Sequence, residues 1–258
     1  SQEKNAHGSA YSPSIRISAN DCSFRGMDIL LTDLPQEKMY MNSLLNRCGL
    51  RTKPTMIINI LAPWASVVFY LQLPPWVRDF DNLDNEEEDS KEVQMLKRFL
   101  NGNDAYRNRR FKVIPQIVEG PLPIRMLAQA KKNAIIKGTS LPLSWHKDSE
   151  FVDKQGNVQK AILEVDCDIA GSSKLVRTSA SLLRRYMHLI TADLAFMLAH
   201  ADDDDDVQTM PPDEVKHSVC LGVARVEKII PEMCAVMPPL SETESIHRAS
   251  VCVGVGEC

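Results

Sequence analysis

Nowhere does this 258-residue chain string together the roughly twenty apolar residues that a membrane-spanning helix needs. The nearest approach, Leu182 to Ala199, is broken by Arg184, Arg185, His188 and Asp193, which excludes such a helix. The opening residues are polar and lack a basic start followed by an apolar core, so no targeting signal is expected. Cysteine gives no C-x-x-C pair and no metal-ligand cadence: seven residues stand at 22, 48, 167, 220, 234, 252 and 258. That spacing argues for a reduced, cytoplasmic setting, with Cys167 and Cys220 as fillers among apolar strand residues.

Motifs that carry chemistry are missing too. The histidines form no H-E-x-x-H cluster, and His188 and His200 stand apart, so zinc is not expected. There is no G-x-S-x-G nucleophile elbow and no G-x-x-x-x-G-K phosphate loop. The run Asp202 to Asp206 lacks the glycine and spaced ligands of a calcium loop and is expected to be a solvated linker. These absences leave no cofactor and no metal among the expectations. The densest basic stretch, Lys97 to Lys112, is accompanied by no nucleic-acid motif, so nucleic acid is not an expected partner.

What is present is an ordinary globular composition, 44% hydrophobic and 25% charged, in a chain long enough to bury a sizeable core. The organisation expected is a flexible segment 1–21, one domain over 22–230 and an appendage over 231–258. The net charge of −4 is unevenly spread, because Asp79 to Asp89 and Asp202 to Asp206 concentrate acid in two segments. The rest of the chain is therefore basic, and a basic body is attracted to an anionic membrane by roughly 1 kcal/mol for each nearby Lys or Arg.

Alternating and branched apolar residues predict strands at Phe24 to Leu31, Phe111 to Glu119, Pro123 to Leu127, Ala134 to Lys137, Gln159 to Ala170 and Val219 to Ile229. Thr55 to Leu61 and Ser66 to Leu73 flank Ala62-Pro63-Trp64-Ala65 as a hairpin that Pro74-Pro75 ends. Met39 to Leu45 suggests a helical turn, and Gln155-Gly156-Asn157 a tight turn. Lys91 to Leu100 repeats apolar residues at helical spacing behind a Ser90 cap. Ser172 or Ser173 is expected to cap a long helix, Lys174 to His200, whose second half is apolar on nearly every side and so enclosed by protein.

Three carboxylates, Glu164, Asp166 and Asp168, share one face of their strand, with alternate positions about 6.6 Å apart. The same pattern suits an acid–base pair, an ion site or a structural network with Arg107, Arg109, Arg110 and Lys112. The network is favoured, since a buried carboxylate needs a partner. Asp193 faces the same requirement and is expected to be a buried hydrogen-bond anchor.

Five blocks in order, Phe24-Arg25-Gly26, Leu71-Gln72-Leu73-Pro74, Phe111 to Pro115 with Glu119-Gly120, Asp166 to Ser173, and Asp193-Leu194-Ala195-Phe196, resemble the C-terminal domain of the plant protein Enhanced Disease Resistance Two. The resemblance spans roughly Cys22 to Ile229. It implies a eukaryotic cytosolic domain of unknown function, often placed after a pleckstrin-homology and a START-type domain and associated with phosphoinositide-bearing membranes. Two departures stand out: Leu122 follows Glu119-Gly120-Pro121 where the family commonly has Trp, and Pro212-Asp213-Glu214-Val215 stands where it often has Glu-Leu-Pro-Glu.

The expected fold is α+β, a curved and largely antiparallel sheet packed on the helix Lys174 to His200; a START-like cup is one form this takes. The expected function is a non-enzymatic lipid-associated or membrane-peripheral regulatory module, with Arg107, Arg109, Arg110 and Lys112 contacting anionic headgroups. Arg25, Glu119, Glu164, Asp166, Asp168 and Asp193 form a polar network. A protein-interaction scaffold without lipid is the alternative, and a hydrolase using Glu164, Asp166 or Asp168 comes last. The oligomeric state is left open.

Overall fold

The hairpin expected from the branched residues after Pro54 is the centre of the larger sheet. In the computed structural model, strands β2 (Thr55–Ala62) and β3 (Ala65–Gln72) pair antiparallel from Ala62↔Ala65 to Thr55↔Gln72 around the Pro63-Trp64 turn. The structure describes residues 22–32, 37–41, 53–77, 80, 83, 89–122, 124–125, 141–148, 151–152, 158–159, 162–172, 174–199 and 218–236. The expected segment 1–21, strand Ala134 to Lys137, turn 155–157 and aspartate run 202–206 lie outside these residues, as does most of the expected appendage.

Around the hairpin, β1 (Ser23–Leu31) pairs antiparallel with β3, and β8 (Ile162–Asp168) pairs parallel with β2. The chain between the hairpin and β8 supplies α1 (Lys91–Asn101), α2 (Asp104–Arg110), β4 (Phe111–Glu119), β5 (Leu143–Asp148) and a short ribbon of β6 (Phe151–Val152) and β7 (Val158–Gln159). After β8 come α3 (Lys174–Tyr186), β9 (Thr191–Leu198), β10 (Val219–Glu227) and β11 (Ala235–Val236). The larger sheet runs β11-β1-β3-β2-β8-β5 and the smaller β10-β9-β4. Both are mostly antiparallel, and the content is mixed α/β.

Ser90 caps α1 as its sequence predicts, its hydroxyl accepting from the Val93 amide. The apolar stripe of α1, Leu96, Phe99 and Leu100, closes a core shared by both sheets: Met56, Ile58, Phe69, Leu71, Val165 and Cys167 from the larger, Phe111, Phe196, Leu198 and Leu221 from the smaller. Phe69 and Phe196 meet with ring centroids 5.0 Å apart, so the sheets interlock through aromatic contact. The other face of the larger sheet carries a second cluster, Leu30, Met39, Ile57, Val68, Tyr70 and Ile162.

Two expectations are corrected. The long helix Lys174 to His200 does not exist: α3 stops at Tyr186, a 3-10 turn spans Met187–Leu189, and Thr191–Leu198 is a strand. That run is apolar on nearly every side because β9 is the middle strand of its sheet, bonded to β4 and β10 and covered on its inner face by the core. The helix on which a START-like cup would close is thereby lost. Within the expected strand Pro123 to Leu127, the described residues Ile124 and Arg125 lie in a helical turn, their amides donating to the Pro121 carbonyl. Of the two serines expected to cap α3, Ser172 donates its hydroxyl backward to the Ile169 carbonyl, and Ser173 lies outside the described residues.

Candidate functional site

Alternation in β8 sends Leu163, Val165 and Cys167 to the shared core and Glu164, Asp166 and Asp168 to the opposite face, as the sequence indicates. Burial pushes the Cys167 thiol far above its ordinary range, as befits a packing residue. Register sets Glu164 between Ile57 and His146, and Asp166 between Asn59 and Ser144. Glu164 and Asp166 are both buried.

The partners of these carboxylates are not the arginines expected. A 3-10 turn, Met39–Met41, lies across them, entered through Lys38 at φ 58, a left-handed conformation that turns successive amides toward one point. The Met39 and Tyr40 amides donate to the two Glu164 oxygens, each at 2.7 Å, and the Lys38 amide donates to Asp166 Oδ2 at 3.2 Å. Asn59 Nδ2 donates to Asp166 Oδ1 at 2.7 Å, and His146 Nε2 lies 2.9 Å from Asp166 Oδ2. Burial, and then the neighbouring Asp166 charge, push the Glu164 carboxyl up to about 8, while the two amides pull the other way. Glu164 thus holds its proton at neutral pH and shares it with Asp166. Asp168 stands apart: its carboxylate accepts from the Gly171 amide at 2.6 Å, so close that a Cβ at Gly171 would overlap it.

Glu37, exposed just before the 3-10 turn, brings a carboxylate oxygen within 4.8 Å of ligand atoms of His146 and Asp166; it, Asn59, His146 and the three amides were not foreseen. A lone polar residue inside the apolar run Thr55–Ala62 was the available signal for Asn59; nothing local marks the others.

The basic residues serve other purposes. Arg107 is buried and ties the C-terminal end of α1, donating from Nη2 to Leu100 O at 2.8 Å and from Nε to Phe99 O at 3.3 Å. Arg110 is buried with its guanidinium 5.2 Å from the Tyr106 ring centroid. Arg109 is exposed and Lys112 half-buried, so the four do not present one headgroup surface. Arg25 donates to Gln72 across the β1–β3 pair. Asp193, instead of being an anchor buried in a helix, is a half-buried strand residue gripped by Arg225 at 2.7 and 2.9 Å, and that hydrogen bond holds its carboxyl below the usual range.

Glu119 leads to another feature. It pairs with Thr191 while Thr191 pairs with Glu227, so the chain leaves β4, enters β9 and leaves β10 at one end of the smaller sheet. Lys228 Nζ lies 3.6 Å from Glu119 there, and the Lys228 amide donates to Ile190 O. The same end exposes large apolar residues: Leu122 at 67%, Ile230 at 48%, Leu189 at 47% and Val118 at 40%. Arg125, Arg184, Arg185, His188 and Lys228, on the same or adjoining segments, are exposed, as are Glu119 and Glu227.

No helix among the described residues is long and apolar enough to cross a membrane. Comparison with the curated proteins and with the solved structures returns no match. One family does match, that described as Protein ENHANCED DISEASE RESISTANCE 2, C-terminal, over residues 20–207. The match takes in both strands of the hairpin, the carboxylate strand β8 and β9, and ends before β10, which completes the smaller sheet. Covering well over half of the chain, it shows that this protein belongs to the family of the C-terminal domain of Enhanced Disease Resistance 2.

Proposed function

We propose that this domain is a non-enzymatic, membrane-peripheral regulatory module that meets an anionic lipid surface with the β4–β9–β10 end of its smaller sheet. The observation that carries the reading is the grouping of Val118, Leu122, Leu189 and Ile230, all substantially exposed, on three segments leaving one sheet end. Large apolar side chains gathered on a surface and rimmed by polar groups mark contact sites rather than chance exposure. Lys228 lies beside Glu119 at this end, and Arg125, Arg184 and Arg185 are exposed on the adjoining segments, which suits an anionic leaflet. Leu122 is the most exposed of the apolar group and stands where the family resemblance puts an aromatic, so an apolar tip is retained there.

Inserting one such side chain is worth roughly 1.5–3 kcal/mol. A charge in its place is therefore expected to weaken vesicle binding by about 10-fold or more, since 1.4 kcal/mol is a factor of ten. Sedimentation with phosphatidylcholine vesicles containing phosphatidylserine tests this directly. The native chain should bind, Leu122→Asp and Leu189→Asp should lose binding with unchanged melting, and raised salt should weaken what remains. Absence of native binding, or full binding by both variants, overturns the reading. Replacing phosphatidylserine with a phosphoinositide at equal charge asks whether the headgroup matters beyond its charge.

The buried carboxylates do not favour a hydrolase. Glu164 and Asp166 lie under Met39 and Tyr40 with their oxygens engaged by amides, an arrangement that holds a segment in place rather than admitting substrate.

A further inference from the structure

We propose that Glu37, His146 and Asp166 bind one divalent first-row transition cation, of which Zn2+ best matches the donors. One atom from each of the three lies within 4.8 Å of the other two. Donors about 2.0–2.2 Å from a common ion at tetrahedral or octahedral angles are themselves roughly 3.0–3.5 Å apart. His146 Nε2 and Asp166 Oδ2, at 2.9 Å, are already close to that separation. Glu37 is exposed on a flexible side chain and needs only a small swing to close the set.

Charge points the same way. Asp166 is buried and its hydrogen-bond partners are the Lys38 backbone amide, the Asn59 side-chain amide and the His146 imidazole, with the exposed Glu37 carboxylate close by. Among the described residues no lysine or arginine side chain is a partner of Asp166, so a cation there supplies a counter-charge to the buried carboxylate. The surroundings already have the form of a metal centre's outer layer: Asn59 Nδ2 fixes Asp166 through its Oδ1, and the Lys38 amide, at 3.2 Å, orients the Oδ2 that faces His146. An imidazole nitrogen with two carboxylates suits zinc and its neighbours and disfavours calcium and magnesium, which prefer oxygen alone.

The three ligands come from separate parts of the chain. Glu37 precedes the 3-10 turn, His146 lies on β5 and Asp166 on β8. A bound ion thus clasps the turn to the outer face of the larger sheet, with Glu37 on the solvent side as the way in and a fourth position left for water. The site is independent of the membrane-facing end.

The test is calorimetric titration of the whole chain with Zn2+ after chelator treatment, in a phosphine-reduced buffer. One ion per chain is expected. Cobalt in its place should show no thiolate-to-metal absorption, which separates this site from adventitious binding by the cysteines. Because Glu37 is exposed, Glu37→Gln leaves the fold intact, and it should weaken Zn2+ binding by no less than the about 10–100-fold typical of outer-layer partners. His146→Gln should do the same. Lack of saturable one-to-one binding, a thiolate band, or affinity unchanged in Glu37→Gln overturns the assignment.

Discussion

At the scale of single residues, Glu164 shows how a carboxyl group can be buried without a counter-charge. Its two oxygens each accept from a backbone amide, and its own proton goes to Asp166, so the group is satisfied as an acid rather than as an ion pair. Glutamine keeps the volume but replaces one oxygen with an NH2, which cannot accept. One of the Met39 and Tyr40 amides then faces a donor in a buried site, a loss of about 1–3 kcal/mol. Glu164→Gln in chelator-treated protein is accordingly expected to lower urea stability by that amount. An unchanged midpoint would mean that the 38–40 segment is not held by this side chain.

The elements divide by how far each one's cause lies from its own sequence. The β2–β3 hairpin, α1 with its Ser90 cap, and β4 were legible because alternation, a two-residue turn and a capping hydroxyl act within a few positions. The carboxylate face of β8 was legible for the same reason, its partners were not: Asp166 meets Asn59 across 107 positions of sequence. His146 escaped notice because β5 has few branched residues to announce a strand. The run 189–199 misled because periodicity cannot separate a buried strand from a buried helix when nearly every position is apolar; Asp193 read as a buried polar group only on the helical assumption, whereas on β9 it points outward to Arg225. Hydrogen exchange distinguishes the two assignments. The amides of Thr191–Leu198, bonded on both sides to β4 and β10, should be among the slowest in the protein, and those of α3, exposed over most of its length, should exchange well before them. Uniform protection from 174 to 198 would speak for one continuous helix.

For the whole molecule the question is whether two sheets make one cooperative unit. They share a single core, and its junction is aromatic: Phe196 of β9 lies against Phe69 of β3, while Phe111 of β4 meets Trp145 of β5 edge-on at 5.7 Å, and Phe99 of α1 meets the same tryptophan at 5.5 Å. Phe196 and Phe111 tie β9 and β4 to the larger sheet through that junction, so the end of the smaller sheet that we propose meets the membrane is braced by the larger one. Removing Phe196 to alanine opens a cavity in the middle of the contact and is expected to cost about 3–5 kcal/mol. In a chain keeping Trp145 as its one tryptophan, fluorescence and far-ultraviolet circular dichroism should trace the same urea transition before and after the substitution, with both midpoints moved together. If Phe196→Ala instead split the curves, with the Trp145 signal staying at its original midpoint, the smaller sheet would be an independently folding layer, and a lipid contact at its end would be uncoupled from the rest of the molecule.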